Sequence, residues 1–354
     1  MQPVQDLHVL EMVPLIAPNA MKKEIPLTDA AADTVATGRD AIRKIFHRED
    51  DRFLVIVGPC SIHDPASSLE YAARLAKYAN QMKDRLVIVM RTYFEKPRTT
   101  FGWRGLINDP HLDGTYDMGE GLRIARKLLV DINGMGLPTA VEILDPVTPQ
   151  YIAELVCCTA IGARTTESQT HRALASGLSM PVGFKNATDG GLQVSIDAAI
   201  SARNRHSFLG IDLDGKSCVV KTTGNPDGTL ILRGGRHSPN YDIDSILNAS
   251  SQMANAGLIS AVMLDCSHAN SGYDPKKQKE VWKTVVDERP ETAGALVGLM
   301  AESYIFEGKQ PIPTNLAELK YGVSVTDACM SWETTEELLE YTYERSTAGA
   351  LTPA

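Results

Sequence analysis

Residues 261–302 read AVMLDCSHANSGYDPKKQKEVWKTVVDERPETAGALVGLMAE, and this stretch decides the fold. AVMLDCSH and ALVGLMAE are apolar runs of strand length. DPKKQKEVWKTVVDER, between them, is amphipathic with a helical repeat. The strand runs are apolar throughout rather than alternating, as expected where helices cover both faces of a parallel sheet. Each run also ends in a residue that can do chemistry, His268 in the first and Glu302 in the second.

The same grammar extends toward the N-terminus. FLVIVGPC ends at Cys60, LVIVMR at Arg91, PTAVE at Glu142, AIGAR at Arg164, PVGFK at Lys185 and LILR at Arg233. Amphipathic segments such as PASSLEYAARLAKYANQM, MGEGLRIARKLLVDINGMG, TPQYIAELV and LQVSIDAAISAR separate them, and ETTEELLEYTYER follows the last strand. Eight strand–helix pairs predict an α/β fold, a (β/α)8 TIM barrel over residues 51–354, whose strand ends meet around one site. A doubly wound open sheet is the alternative.

Two segments fall outside this repeat. Residues 1–50 read as an N-terminal extension for regulation or assembly. In it VLEMVPLIAPNAM holds two prolines and predicts a packed arm rather than a long helix. TDAAADTVATGRDAIRKIFHRED predicts a helix capped by Thr28, with Ala32, Val35, Ile42 and Ile45 on its buried face. SFLGID and SCVVKTT flank LDGK and predict an inserted β-hairpin over about 207–223.

The bulk numbers narrow the function. The chain has 354 residues, 43% hydrophobic and 22% charged, which suits a soluble globular protein with a large core. Lys+Arg total 35 against 44 Asp+Glu, a net charge of −9, which argues against general nucleic-acid binding. Any anionic substrate must then be held by a local cluster of cations. No apolar span is long enough for a membrane, and Asp6, His8 and Glu11 interrupt any signal-peptide pattern. The 6 cysteines are scattered, so reduced thiols and a cytoplasmic location are expected.

The cations at strand ends and just beyond them are Arg91, Lys96, Arg98, Arg164, Lys185 and Arg233. Any one could simply be solvated. Together they suit a ligand with two phosphate groups, since Arg offers a planar fork and Lys a compact charge. No GxxxxGK[ST] stretch occurs, which turns attention away from nucleotides. Cys60, His268, Glu302 and Asp327 fall at or beyond the first, seventh and eighth strands, which adjoin when a barrel closes. This mixed soft and hard set suits a divalent transition ion. The plainer readings are a small buried Cys60, a Glu302 ion pair and an Asp327 helix cap. Cys266 competes, because strand alternation puts it on the side of His268. His63 belongs to the turn after the first strand, and Trp103 and Trp332 read as packing residues.

At these residues the chain closely resembles the type I 3-deoxy-D-arabino-heptulosonate-7-phosphate (DAHP) synthases. The resemblance rests on GPCSIHD (58–64), MRTYFEKPRTTFGWRGLINDP (90–110), GARTTESQTHRALASGLSMPVGFKN (162–186), GNPDG (224–228), ILRGG (231–235), LDCSHANS (264–271) and YGVSVTDACMSWE (321–333). It implies condensation of phosphoenolpyruvate with D-erythrose 4-phosphate, releasing phosphate, as the first step of the shikimate pathway to the aromatic amino acids. It implies one divalent metal ion (Mn, Fe, Co or Zn) on Cys60, His268, Glu302 and Asp327. Phosphoenolpyruvate would lie on Arg91, Lys96, Gly162, Ala163, Arg164, Lys185 and Arg233, with Glu142 nearby. Erythrose 4-phosphate would lie along Lys96, Pro97, Arg98 and Thr99, with Asp327 also at the substrates.

Lys96 would meet the developing alkoxide, and Glu142 is the candidate for the group that activates water. An effector site for an aromatic amino acid would involve Asp6, Pro149, Gln150, Leu174, Leu178, Ser179, Phe208, Gly210 and Val220. Gly210 in place of serine, with ESQTHR and GLSMPVG, makes the chain most like the tyrosine-sensitive branch, so tyrosine is the expected inhibitor. A homodimer or homotetramer is implied, with the arm at an interface. A related phosphosugar synthase and a catalytically silent effector-binding protein are the competing readings. KPRTTFGWRG with the extra hairpin argues against the first, and the intact set of ligand types against the second.

Overall fold

The computed structural model describes residues 4–98 and 100–346. Eight parallel strands close into a barrel: β1 (Phe53–Gly58), β2 (Leu86–Arg91), β3 (Thr139–Glu142), β4 (Cys158–Ile161), β5 (Val182–Lys185), β8 (Gly228–Leu232), β9 (Val262–Asp265) and β10 (Leu296–Glu302). The two remaining strands, β6 (Ser207–Ile211) and β7 (Ser217–Lys221), pair antiparallel as the inserted hairpin. Around the barrel run α3 (Pro65–Gln81), α4 (Met118–Gly134), α6 (Gln169–Ala175), α7 (Gln193–Ala202), α8 (Ile243–Asn255), α9 (Pro275–Glu288) and α10 (Trp332–Arg345). TPQYIAELV forms less helix than its pattern suggests: a single turn, α5 (Pro149–Ile152), then a tighter turn over Ala153–Leu155.

The apolar strands are explained by two cores. In β1, Phe53, Val55 and Val57 pack outward with the helices, whereas Leu54 and Ile56 belong to a second cluster in the barrel interior. All six residues are buried, so the period-2 signal vanishes although the pleat remains. The hairpin keeps the alternation: Phe208, Gly210, Cys218 and Val220 are half-buried, while Leu209 and Val219 face out.

Helix α2 (Asp29–Phe46) lies across the amino ends of the strands. Thr28 caps it, its hydroxyl accepting from Ala31 N at 3.2 Å. Val35, Ile42, Ile45 and Phe46 enter the interior cluster with Leu54, Ile56 and Met263. Its rim is tied to residues that precede strands. Arg39 donates to Val156 O and Ala153 O, and His47 meets Asp227 at 2.8 Å.

The arm departs from expectation. Residues 4–15 are non-helical, as the prolines predict, but exposed rather than packed, with Leu10 97% and Met12 73% accessible. The chain becomes anchored only at its root. Ile16 O accepts from Tyr151 OH at 2.7 Å, and Asn19 N donates to Leu213 O in the hairpin turn at 2.8 Å. No described helix is long and apolar enough to cross a membrane.

Candidate active site at the carboxyl ends of the strands

Register builds the site. Gly58 of β1 pairs with Glu302 of β10, so Cys60 emerges beside Glu302. The loop after β10 is sewn back onto the mouth: Met330 N donates to Glu302 O at 3.0 Å, and Cys60 N donates to Cys329 Sγ at 3.3 Å. Ser61 and Thr326 share hydroxyls at 2.7 Å. This stitching carries Asp327 to Cys60, where its backbone N–H reaches Sγ at 3.3 Å. Ligand atoms of Cys60, Glu302 and Asp327 all lie within 4.8 Å of one another. His268 stands just outside that trio, Nε2 at 3.9 Å from Glu302 Oε1.

The donor set fits a divalent cation. Burial, reinforced by Glu302, pushes the Cys60 thiol up to about 11, so it becomes a thiolate only beside a strong positive charge. Burial also opposes the ionisation of Asp327, yet Lys96 and His268 hold its carboxyl below the usual range. Cys266 does not join the group, and burial pushes its thiol well up. His63 sits in the turn after β1, its ring edge-on to Tyr304.

Beside this cluster opens a cavity of about 160 Å³. Lys96, Arg164, Lys185 and Arg233 line it, with Pro97, Arg98, Glu142, Gly162, Ala163, His268 and Asp327. Burial works against the charge of Lys96, but Cys60 and Glu302 outweigh it and raise its pKa. Arg233 donates to Tyr273 OH at 3.0 Å, and its own backbone N–H is held by Asn186 Oδ1 at 2.7 Å. Arg164 is exposed and has no ion-pair partner among the described residues. Arg98 turns outward and donates to Trp103 O at 2.8 Å. Thr99 lies outside the described residues.

Arg91 is placed differently from the other cations. It is fully buried and does not line the cavity. Its guanidinium donates to Glu302 Oε1 at 2.8 Å and to Pro59 O at 3.1 Å, and stacks on the Tyr93 ring at 3.5 Å. Arg91 therefore braces a ligand candidate from beneath. The position of Glu142 depends on a glycine: a Cβ on Gly162 would stand 2.2 Å from Glu142 Oε1, so any side chain there displaces that carboxylate.

Two carboxyls in the mouth escaped the sequence reading. Asp265 is wholly buried and accepts from Lys185 Nζ at 2.8 Å, with His268 Nδ1 2.9 Å from the same oxygen and equally close to the Ser267 hydroxyl. Burial opposes its charge, but His268 and Lys185 hold it well below the usual range. Glu95 precedes Lys96 and accepts from Asp145 N at 3.3 Å. Burial, with Asp145 next, pushes it up to about 8. Alternation gave no signal for Asp265, because it places Asp265 on the side opposite Cys266 and His268. Glu95 lies in a loop without any period.

The effector candidates are spread over the hairpin, α6 with the turn after it, α5 and the arm. Phe208, Gly210 and Val220 share the inner face of the hairpin. Leu174 is buried in α6, Leu178 is half-buried and Ser179 exposed beyond it. Ser176 and Asn225 tie this end of α6 to the hairpin, Ser176 Oγ meeting Thr222 Oγ1 at 2.7 Å. Pro149 and Gln150 open α5, beside the anchored root of the arm. Asp6 is exposed, and its partners among the described residues are its neighbours Gln5 and Val9. A Cβ on Gly210 would stand 2.8 Å from Val220 Cγ2, so serine there needs Val220 to turn.

Residues 24–340 match the model of the DAHP synthetase I family. The chain is 52% identical to the Phe-sensitive phospho-2-dehydro-3-deoxyheptonate aldolase of Escherichia coli K12, over 94% of this chain and 95% of that one. It is 50% identical to the Tyr-sensitive enzyme of the same strain, over 95% and 94%. The solved structure of the phospho-2-dehydro-3-deoxyheptonate aldolase from Francisella tularensis SCHU S4 superposes with a TM-score of 0.92 at 44% identity, covering 96% of this chain and 98% of that one.

Proposed function

The chain belongs to the DAHP synthetase I family, and we propose that its barrel mouth condenses phosphoenolpyruvate with D-erythrose 4-phosphate around one divalent ion, under feedback inhibition by tyrosine. One observation carries this reading. The Cys60, Glu302 and Asp327 ligand atoms converge within 4.8 Å, at the edge of a cavity lined by five cations, Lys96, Arg98, Arg164, Lys185 and Arg233. An acidic protein gathers positive charge in this way to hold phosphorylated substrates.

Cys60, Glu302, Asp327 and His268 would hold the ion. When bound, it supplies Lewis-acid polarisation of the aldehyde oxygen of erythrose 4-phosphate. Arg164, Lys185 and Arg233 bind the phosphate and carboxylate of phosphoenolpyruvate, and Arg91 fixes Glu302 from below. Pro97, Arg98 and Thr99 guide erythrose 4-phosphate, with Asp327 at the junction of the two substrates. The third carbon of phosphoenolpyruvate attacks the aldehyde carbon, forming the new C–C bond. Lys96, held cationic among Cys60 and Glu302, gives a proton to the resulting alkoxide. Water adds to the second carbon, with Glu142 on its cavity side as proton acceptor. Phosphate then leaves by cleavage of the bond between that carbon and oxygen, giving the ketone of DAHP.

Gly210 supports tyrosine as the effector, since an absent hydroxymethyl group leaves room for a phenol oxygen. The near-equal identities to Phe- and Tyr-sensitive relatives favour neither branch. A homodimer or homotetramer, with the exposed arm at the contact, and a cytoplasmic site of action complete the reading.

Phosphate release with both substrates, with and without a chelator, tests the reaction. Release that needs both substrates and stops on chelation is expected, and release indifferent to the chelator would refute the ion. Tyrosine should inhibit at lower concentration than phenylalanine; equal or stronger inhibition by phenylalanine would refute the effector assignment.

A further inference from the structure

Asp265 closes β9 and is fully buried. Its Oδ2 meets Lys185 Nζ at 2.8 Å and His268 Nδ1 at 2.9 Å. Its Oδ1 accepts the backbone N–H of Ser267 at 3.0 Å, and the Ser267 hydroxyl as well. A ligand candidate and a substrate cation therefore share one oxygen atom. We propose that Asp265 couples the ion site to the anion cradle, so that a divalent cation and phosphoenolpyruvate each strengthen the other's binding through it. The proposal rests on the ion and substrate assignments given above.

The geometry supplies the reason. His268 adopts a left-handed backbone with φ 57°, which folds its ring back onto Asp265 three residues earlier. His268 Nδ1 lies 2.9 Å from Asp265 Oδ2 and also 2.9 Å from the Ser267 hydroxyl, which itself donates to Asp265 Oδ1. A proton on Nδ1 therefore faces the carboxylate both directly and through that hydroxyl, and the Nε2 lone pair is left for the ion on the side of Glu302. A cation at Nε2 draws density from the ring and makes Nδ1–H a stronger donor. Oδ2 then gives more to His268 and less to Lys185, whose ammonium is freed for an incoming anion. By linkage the reverse also holds. An anion that draws Lys185 away leaves Oδ2 to His268 and makes Nε2 a better ligand.

A double-mutant cycle on Mn2+ affinity tests this in the full chain, by calorimetry without substrates. Lys185→Met should tighten Mn2+ about five- to tenfold, because Oδ2 passes entirely to His268. Asp265→Asn should weaken Mn2+, and adding Lys185→Met to it should change nothing further. Equal tightening in both backgrounds would mean that Lys185 acts on the ion through space, and would overturn the coupling. Absence of Mn2+ binding in the wild type would overturn the ion site and this proposal with it. If circular dichroism shows Asp265→Asn unfolded, the imidazole 15N spectrum decides: a shifted His268 Nδ1 in Lys185→Met supports the shared oxygen, and an unmoved one refutes it.

Discussion

The two ends of this barrel are built from the same strands on opposite rules. At the amino end, Val35, Ile42, Ile45 and Phe46 of α2 close over Leu54, Ile56, Val87, Val89 and Met263, with Arg39 and His47 finding their partners at the rim. At the carboxyl end, Arg91, Lys96, Glu142, Lys185, Arg233, Asp265 and Glu302 are buried together. The boundary is a single layer, where Arg91 stacks on Tyr93 and donates to Met300 Sδ at 3.2 Å. The floor is specified by volume, since only close packing holds apolar groups there. The mouth is specified by pairing, since each buried charge must find a partner. Damage at the floor should therefore cost stability, and damage at the mouth should cost chemistry.

The largest effect separates them at the mouth. Cys60→Ala removes a proposed ligand yet leaves a small side chain in the same place. Loss of partners one shell further out typically costs 10–100-fold, so activity should fall by more than about 100-fold. The melting temperature should hardly move. Wild-type turnover in this variant would remove Cys60 from the ion site. The converse belongs to the floor. Phe46→Ala opens a cavity under the barrel, for an expected loss of about 3–5 kcal/mol in urea unfolding. Turnover per folded molecule should be unchanged, and a fall in kcat would show that the ends are not independent.

A smaller effect tests how finely the mouth is positioned. Gly162→Ala places a methyl where Glu142 Oε1 now lies. The carboxylate must move by roughly an ångström, which can cost up to about 100-fold in kcat/KM with little change in stability. An unchanged kcat/KM would mean that the position of Glu142 does not matter to the reaction.

The floor and the mouth were also unequally legible. The strands could be read because burial on both faces leaves continuous apolar runs, and because most runs stop in or just before a polar residue at the mouth. The ring closure that brings Cys60 beside Glu302 follows from strand order alone. Asp265 was missed for a local reason. Alternation holds only as far as the strand, which stops at Asp265, and the positive φ of His268 then turns its ring backward. The same break leaves Cys266, the competitor by alternation, outside the ligand group. The arm was only partly legible, because apolar residues imply burial without naming what buries them. Its root has partners in the hairpin turn and α5, and residues 4–15 stand exposed.

Glu95 sharpens the contrast most finely, because it sets one carboxyl of the mouth against the others. Asp265 and Asp327 are held low by cations, whereas burial and Asp145 raise Glu95 to about 8. A carboxyl raised on folding contributes its stability in full below its unfolded pKa, and that contribution is lost as pH climbs through the folded value. Glu95→Gln cannot ionise and keeps a carbonyl oxygen for one of Leu144 N and Asp145 N, which donate to different oxygens of Glu95, a loss that does not vary with pH. Between pH about 6 and pH about 8, the wild type should therefore lose about 2 kcal/mol relative to Glu95→Gln. Paired urea titrations at the two pH values read this difference directly. A gap that does not change with pH would mean that Glu95 is ionised throughout, and that the mouth holds a buried negative charge without the cation its neighbours have.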